Sequence, residues 1–173
     1  VLMPRYPDGM RNLMQLYGQR NYGTLPAASR RWNQRVLIAW RLCQATGRME
    51  LKGLAHIYLS NNNVLANPET GQVRVIDIDG LVAPELKPPT VAGTPGFMAP
   101  EITTGSPPSP ATDRHALAVI LYRLLLFGHP LEGPYDHGLP PDEVDEIARR
   151  QYGPGAIYRE HPTDPRNRPK IRW

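Results

Sequence analysis

The sequence is poor in cysteine, in aromatic residues and in long apolar runs. Its 173 residues contain one cysteine, Cys43, and aromatic residues make up 8% of the chain. A single thiol excludes a disulfide framework and any zinc site built from several thiolates, and it suits a reducing, cytoplasmic compartment. No segment approaches the ~18 apolar residues of a membrane span, so we expect no membrane partner.

Acidic charge is scarcer than basic charge, though not by much. The chain has 20 Lys and Arg residues against 16 Asp and Glu residues, a net charge of +4. The basic residues are spread along the chain, and even the densest runs, Arg30-Arg31, Arg149-Arg150 and Arg166 to Arg172, are short. Because no zinc-finger spacing or aromatic-basic box accompanies them, we expect no specific binding to nucleic acid.

Proline and glycine, by contrast, are abundant, with 20 and 15 residues respectively. Proline at this density rules out a plain helical bundle and predicts long ordered loops. The irregular stretch over 80–110 is the richest in proline, and a loop of that length inside a domain is usually functional. The first residues, Val1-Leu2-Met3, already resemble core sequence, so we expect the chain to be part of a larger protein.

Apolar periodicity predicts helices in the first half of the chain. A short pattern predicts a helix over Met10 to Tyr17. A longer one predicts a helix over 29–47, with Ser29 as its N-cap and Gly47 as its end. The predicted core-facing residues of this long helix are Trp32, Val36, Leu37, Trp40 and Cys43.

The second half predicts a hairpin and two further helices. Val64 to Ala66 and Val73 to Ile76 flank a strong turn, which is typical of a β-hairpin. The segment 113–128 is apolar nearly all round, which predicts a buried helix that Asp113 caps and Gly128 closes. A weaker helix is predicted from Pro141 to Tyr152, with acidic residues early and arginines late, as suits the helix dipole. The histidines other than His56 lack metal spacing and are predicted at the surface or as caps; they are His115, His129, His137 and His161.

Two polar residues lie where the hairpin opens. Asn63 precedes the first strand and Asp77 follows the second. Because a hairpin brings these ends together, an amide oxygen and a carboxylate are expected to face one another. Such oxygen ligands suit Mg²⁺, which takes one or two carboxylates together with substrate phosphates and waters. The alternative is that Asn63 caps a turn and Asp77 caps a strand end.

Five ordered motifs together resemble the C-terminal lobe of a eukaryotic-type protein kinase of the bacterial Ser/Thr sort. They are His56 to Asn63, which resembles the catalytic loop H-R-D-L-x-x-x-N; Asp77-Ile78-Asp79, which resembles D-F-G; Gly93 to Glu101, which resembles G-T-P-x-Y-M followed by A-P-E; Asp113; and Asp164 to Pro169, which resembles D-P-x-x-R-P. The resemblance implies a mainly helical α+β lobe with a short hairpin at the catalytic loop and long ordered loops.

The resemblance also divides the chain. It implies a hinge-like segment at 1–9, the long helix at 29–47, the catalytic loop and metal hairpin at 56–80, and an activation segment at 80–101. The central helix at 113–128 and C-terminal helices with a tail at 141–173 complete the lobe. The glycine-rich loop, the V-A-I-K lysine and its glutamate partner are absent from this sequence, so the N-terminal lobe is not represented in it.

Roles carry over from the family residue by residue. Asn63 and Asp77 are implied to hold Mg²⁺ and, with Met3 of the hinge, to bind ATP. Thr94 is implied to touch the residue at the catalytic position. The structural residues are His56, Ile78 packed on it, Asp113, and a buried ion pair between Glu101 and Arg168.

The departures fall at the centre of the catalytic loop. Tyr58 occupies the position of the catalytic Asp, and a phenol with a pKa near ~10 cannot accept a proton as a carboxylate does. Ile57 and Ser60 replace the neighbouring arginine and lysine, and Asp79 replaces the glycine of D-F-G. Asp79 is either a second carboxylate near the metal or the cap of a turn.

Two functions follow from the resemblance. The first is a Ser/Thr protein kinase that transfers the γ-phosphoryl group of Mg-ATP to a protein hydroxyl, with transfer impaired by Tyr58. The alternative is a pseudokinase, a scaffold or regulatory module that binds nucleotide without transfer. The expected partners are a protein substrate or regulatory partner and the missing N-terminal lobe or other domains of the parent. A small-molecule phosphotransferase is disfavoured, because such enzymes lack the A-P-E segment and the long activation loop.

Overall fold

The structure, a computed structural model, describes residues 8–17, 27–85, 93–135, 140 and 143–169. These residues form six helices and three strands: β1 Arg11–Asn12, α1 Leu13–Tyr17, α2 Ala27–Arg30, α3 Trp32–Glu50, β2 Val64–Ala66, β3 Val73–Val75, α4 Pro100–Thr103, α5 Pro110–Leu126 and α6 Val144–Tyr152. The arrangement confirms a helix-rich α+β fold with a short hairpin after the segment His56 to Asn63. Across the described ranges, no helix is long and apolar enough to cross a membrane.

The sheet is antiparallel with strand order β1-β2-β3. The predicted hairpin of β2 and β3 is confirmed, with Val64 opposite Val75 and Ala66 opposite Val73. The strand β1 replaces the start of the helix predicted from Met10, because Arg11 pairs with Ala66 and this tertiary pairing prevails over local helical preference. Helix α1 therefore begins only at Leu13.

Two helices stand where one was predicted over 29–47. Arg31 is extended, with φ −75° and ψ 125°, and separates α2 from α3. Ser29 is consequently a buried residue inside α2 and not the N-cap of the long helix. Gly47 lies inside α3, where its carbonyl accepts a hydrogen bond from the N–H of Leu51 at 3.0 Å. The chain turns instead at Gly53, whose φ of +69° favours glycine.

The buried face of α3 is not the predicted one. Trp32 and Trp40 are each 56% exposed and Val36 is 42% exposed, so their predicted core packing is wrong. Cys43 is only partly buried. The residues that α3 buries are Arg35, Ile38, Ala39 and Leu42. This face is selected because α3 packs against α5, and the three apolar members of the set join the central core.

Helix α5 crosses the middle of the molecule. Its N-cap is Ser109, whose N–H donates to Thr112 Oγ1 at 3.1 Å, and Pro110 starts the first turn. Asp113 therefore lies inside the first turn and does not cap the helix. The left-handed Phe127, with φ +55°, ends it before Gly128.

Helices α4, α5 and α6 differ from the sequence prediction as well. Ala118 and Leu126 on α5 are exposed, so this helix is not buried all round. The short helix α4, which begins within the A-P-E motif at Pro100, was not predicted. Helix α6 begins at Val144, and the predicted start at Pro141 lies outside the described residues.

Candidate catalytic and nucleotide site

A carboxylate from α5 holds the backbone of the segment His56 to Asn63, which resembles a catalytic loop and is called the catalytic loop below. Asp113 Oδ2 accepts a hydrogen bond from the N–H of His56 at 2.5 Å, and Oδ1 accepts one from the N–H of Ile57 at 3.0 Å. Ile57 has a φ of +61°, a conformation that costs a β-branched residue energy and needs support from its surroundings. Burial raises the pKa of Asp113, and the two N–H donors oppose that rise.

His56 ties the catalytic loop to the end of the hairpin. Its side chain is 1% exposed, and Nε2 lies 2.7 Å from the carbonyl oxygen of Ile76. Because a carbonyl only accepts, Nε2 carries the proton and donates it to Ile76. The residue after Ile76 is Asp77, so this bond fixes the position at which the hairpin releases its terminal carboxylate.

Asn63 and Asp77 lie at the same open end of the hairpin. The N–H of Ile76 donates to the Asn63 carbonyl at 2.9 Å, which extends the ladder beyond Val64 and Val75. The Asn63 side chain donates from Nδ2 to the carbonyl of Tyr58 at 2.8 Å. Asp77 is exposed and left-handed, with φ +62°. Asn63 is thus anchored through its amide nitrogen beside an exposed carboxylate.

Tyr58 is packed tightly against the turn that follows Asp77. A Cβ atom at Gly80 would lie 2.7 Å from Tyr58 Cδ2 and closer still to Cε2. Only glycine at position 80 therefore admits the phenol ring in this place. Tyr58 is half-buried, and its N–H donates to the His56 carbonyl at 2.8 Å. The phenol ring that replaces the expected carboxylate thus has a defined packing position against Gly80.

The predicted packing of Ile78 on His56 is wrong. Ile78 is 57% exposed, whereas His56 is buried. The cause is the left-handed Asp77, which is followed at once by a 3-10 turn over Ile78–Gly80 that directs the chain outward. Asp79, in the same turn, is exposed like Asp77. Two carboxylates therefore reach solvent on either side of Ile78.

The other implied site residues have mixed positions. Ser60 is 2% exposed, and its carbonyl accepts from the N–H of Asn63 at 3.1 Å, so it builds the turn of the catalytic loop. Thr94 is half-buried, and its carbonyl accepts from the N–H groups of Phe97 and Met98 at 2.9 and 3.1 Å. Its contact with position 58 stays a prediction. Met3 lies outside the described residues.

The predicted buried ion pair between Glu101 and Arg168 is wrong. Glu101 is exposed on α4, and no ion pair among the described residues joins it to Arg168. Arg168 instead donates from Nη2 to the carbonyl of His161 at 3.1 Å. This hydrogen bond lies within the C-terminal segment of the chain.

One buried histidine was missed. His129, predicted at the surface or as a cap, is 2% exposed. Its Nε2 lies 2.6 Å from the carbonyl of Gly96, and its Nδ1 accepts from the N–H of Leu131 at 3.1 Å. This pairing requires the neutral ring, and burial lowers the pKa of His129 accordingly. Its sequence neighbours, Gly128 and Pro130, signal only a loop.

The donor set at the hairpin fits Mg²⁺ bound together with phosphate groups. The described residues contain no cluster of three or more His, Cys, Asp or Glu side chains that would hold a metal by themselves. Asn63 and Asp77 supply an amide oxygen and one exposed carboxylate. Mg²⁺ typically takes one or two carboxylates and completes its shell with phosphate oxygens and waters, so this set suits it.

Comparison with known proteins places this chain in a family. A model described as "Protein kinase domain" matches residues 16–166. The chain therefore belongs to the protein kinase domain family. It is 27% identical over 135 residues to the serine/threonine-protein kinase PknD of Chlamydia abortus, covering 62% of this chain and 14% of that protein.

The chain is also similar to a second kinase in sequence and to a solved kinase structure in fold. The serine/threonine-protein kinase PkaB of Streptomyces coelicolor is 36% identical over 74 residues, which cover 43% of this chain and 13% of that protein. The solved structure of the Cydia pomonella granulovirus kinase PK-1 matches in fold, with a TM-score of 0.58 at 17% identity, over 83% of this chain and 47% of that chain. The chain thus spans about a seventh of the length of its curated relatives and about half of the structural one.

Proposed function

We propose that this chain is the C-terminal lobe of a kinase domain that binds Mg-nucleotide at the hairpin end and is severely impaired in phosphoryl transfer. The observation that carries the proposal is a combination of three residues at the open end of the hairpin. Asn63 is hydrogen-bonded, Asp77 is exposed and Tyr58 packs against Gly80. The first two residues serve binding, whereas the third removes the group that accepts the substrate proton.

The binding half of the proposal rests on which atoms are already engaged. Asn63 Nδ2 is occupied by the Tyr58 carbonyl, so the side-chain oxygen is the atom left to meet a cation. Asp77 is the carboxylate nearest along the ladder, through the Ile76–Asn63 bond. A bound Mg²⁺ neutralises charge on the phosphates of ATP, and Asn63 and Asp77 are the residues that would hold it.

The transfer half rests on proton chemistry. In phosphoryl transfer to a hydroxyl, the hydroxyl oxygen attacks phosphorus, the bond to the leaving ADP oxygen breaks, and the hydroxyl proton must pass to a base. A phenol is protonated at neutral pH and accepts no proton as a carboxylate would. General-base catalysis supplies about 10²–10⁴-fold in rate, so we expect a loss of that order.

A second candidate is a pseudokinase module that serves as a scaffold or regulator and transfers no phosphate. The fit of Tyr58 against Gly80 favours it, because this pair forms a built contact at the catalytic position. The exposed residues Asp77 to Asp79 would then be a surface for a protein partner or a nucleotide sensor.

Phosphate transfer from labelled ATP decides between these functions. The full-length protein is compared with its Tyr58→Asp variant, and Tyr158→Asp serves as a control because Tyr158 is 40% exposed and remote in sequence from the catalytic loop. The impaired-kinase proposal predicts a gain of about 10²–10⁴-fold in Tyr58→Asp alone. Equal labelling by the native protein and Tyr58→Asp contradicts the impairment. No labelling by any form, with nucleotide binding retained, establishes the pseudokinase.

A further inference from the structure

The outer face of α3 carries large apolar side chains. Trp32, Val36 and Trp40 are 56%, 42% and 56% exposed and recur every four residues, so they form one ridge along the helix, here called the Trp stripe. Exposed aromatic residues are costly to hydrate, and Trp is enriched among the residues that dominate binding energy at protein interfaces. The stripe is not needed for the core, because α3 buries a different face.

Along the chain, the charge on either side of the stripe is basic. From Gly9 to Met49 the sequence holds seven arginines and no Asp or Glu, and Glu50, the last residue of α3, forms an ion pair with Arg114. Arg30, Arg31 and Arg48 are exposed on α2 and α3 or at their junction. Arg41 donates to the backbone carbonyl of Thr70 at 2.9 Å, an interaction that leaves its charge unneutralised.

A buried positive charge lies beside the stripe. Arg35 is 6% exposed, and its Nε and Nη1 have no hydrogen-bond partner. Its guanidinium carbon is 5.3 Å from the Trp32 ring and 4.3 Å from the Phe127 ring. Ring contacts of this kind favour the cation but do not compensate its charge. Among the described residues, Arg35 forms no ion pair.

We propose that the Trp stripe and its arginines form a docking surface for an acidic amphipathic helix of a partner protein. Ridges spaced by four residues fit the grooves of another helix, which gives the stripe its complementary shape. Carboxylates flanking the apolar face of such a helix complement Arg30, Arg31 and Arg48. This surface lies on α3, whereas the proposed nucleotide site lies at the open end of the hairpin. We therefore expect docking to be independent of nucleotide binding.

Charge and shape disfavour other occupants. A second copy of the chain would place the same arginines opposite one another. A bilayer requires a broad apolar face, whereas the stripe is one ridge bordered by exposed polar residues, Asn33 and Gln44. An acidic helix satisfies both the ridge and the charge.

The test is binding of defined probes to the full-length protein, followed by fluorescence anisotropy. One labelled peptide is an amphipathic helix with leucines on one face and glutamates beside them, and its matched control carries lysines in place of the glutamates. We expect the glutamate peptide to bind at least about 10-fold more tightly. Equal affinity for the two peptides, or no binding of either, overturns the proposal.

Variants locate the surface. Trp32→Gln and Trp40→Gln are each expected to lower the affinity for the glutamate peptide by at least about 10-fold. Leu51→Gln, at a residue 88% exposed beyond the end of α3, should leave that affinity unchanged. The double variant Arg30→Gln and Arg31→Gln should weaken binding and flatten its salt dependence. The matched pair Arg149→Gln and Arg150→Gln should do neither.

Two results would assign the surface differently. Binding to phosphatidylglycerol vesicles that is lost in Trp40→Gln, without preference for the glutamate peptide, makes it a membrane surface. Concentration-dependent dimerisation that the same substitution abolishes makes it a contact between copies. Either outcome overturns the acidic-helix proposal, and neither affects the proposed nucleotide site, whose affinity is measured separately.

Discussion

Asp113 shows how one side chain organises the catalytic loop. Its two carboxylate oxygens accept from the N–H groups of His56 and Ile57, and Ile57 holds a left-handed conformation. An unpaired buried N–H costs about 1–3 kcal/mol, and bonds to charged acceptors are among the stronger ones. The position of the loop therefore depends on a residue that is 57 positions away from His56 in sequence.

Replacement of Asp113 by alanine should cost about 3 kcal/mol in the free energy of unfolding, because two N–H groups lose their acceptor together. Urea denaturation measures the loss. Asp145→Ala is the matched control, since Asp145 is an exposed carboxylate in the first turn of α6 and should cost no more than about 1 kcal/mol. Equal losses in the two variants would show that the Asp113 bonds contribute nothing particular.

His129 links the backbone at Gly96 to the loop after α5. It contacts the Gly96 carbonyl, and its ring packs edge-on against Tyr152 with centroids 5.2 Å apart. The charged groups around it are Glu132, which accepts from the Tyr152 hydroxyl at 2.8 Å, and Arg123. Protonation would break the acceptor bond at Nδ1, so the fold favours the neutral ring.

The lowered pKa of His129 makes stability depend on pH. As pH falls through about 6.5, the unfolded chain binds a proton that the folded chain resists, so the free energy of unfolding should fall by up to about 1.4 kcal/mol per pH unit. His129→Gln should flatten this slope between about pH 7 and pH 5. A smaller slope remains from His115, whose pKa burial also lowers. An unchanged slope in His129→Gln would contradict the assignment.

At the scale of the elements, α3 shows what periodicity can and cannot specify. The pattern predicted a long helix, and one exists, but the helix carries two apolar faces, one with Trp32 and Trp40 and one with Ile38 and Leu42. Which face is buried depends on the surface of α5, and sequence spacing holds no information about it. Periodicity predicts an element more reliably than it predicts the partner of that element.

The two faces of α3 should respond differently to truncation. Leu42 is 0% exposed, and Leu42→Ala should destabilise the fold by about 2–5 kcal/mol through lost burial and a cavity. Trp40→Ala, on the exposed face, should change the free energy of unfolding by less than about 1 kcal/mol. Guanidinium denaturation compares the two variants. A larger loss for Trp40→Ala would restore the predicted face.

The candidate site was predictable where it depends on local pairing. The hairpin turn fixed the ladder, and the ladder places Asn63 beside Ile76 and thus next to Asp77. Ile78 and Glu101 were placed wrongly, because the left-handed Asp77 and the outward face of α4 are tertiary outcomes. The packing of Tyr58 against Gly80 likewise could not be predicted from the sequence. The sequence shows the glycine but not the contact that it permits.

At the scale of the whole molecule, the chain is a helix-rich lobe whose open hairpin end carries the proposed nucleotide site. The family model covers residues 16–166 of this fold. Two exposed aspartates lie at the open end of the hairpin. Asp77 comes directly after the ladder, and Asp79 lies two residues further on, in the 3-10 turn. Only Asp77 directly follows the residue that bonds to Asn63.

The affinity of the full-length protein for Mg-ATP, measured by isothermal titration calorimetry, tests this account most directly. We predict magnesium-dependent binding that weakens at least about 10-fold in Asp77→Asn, because a carboxylate ligand becomes a neutral amide. Asp79→Asn removes the same charge from the same turn and should change the affinity less than about twofold. Equal losses in the two variants, or binding indifferent to magnesium, would contradict the assignment of Asn63 and Asp77 as the metal-holding pair.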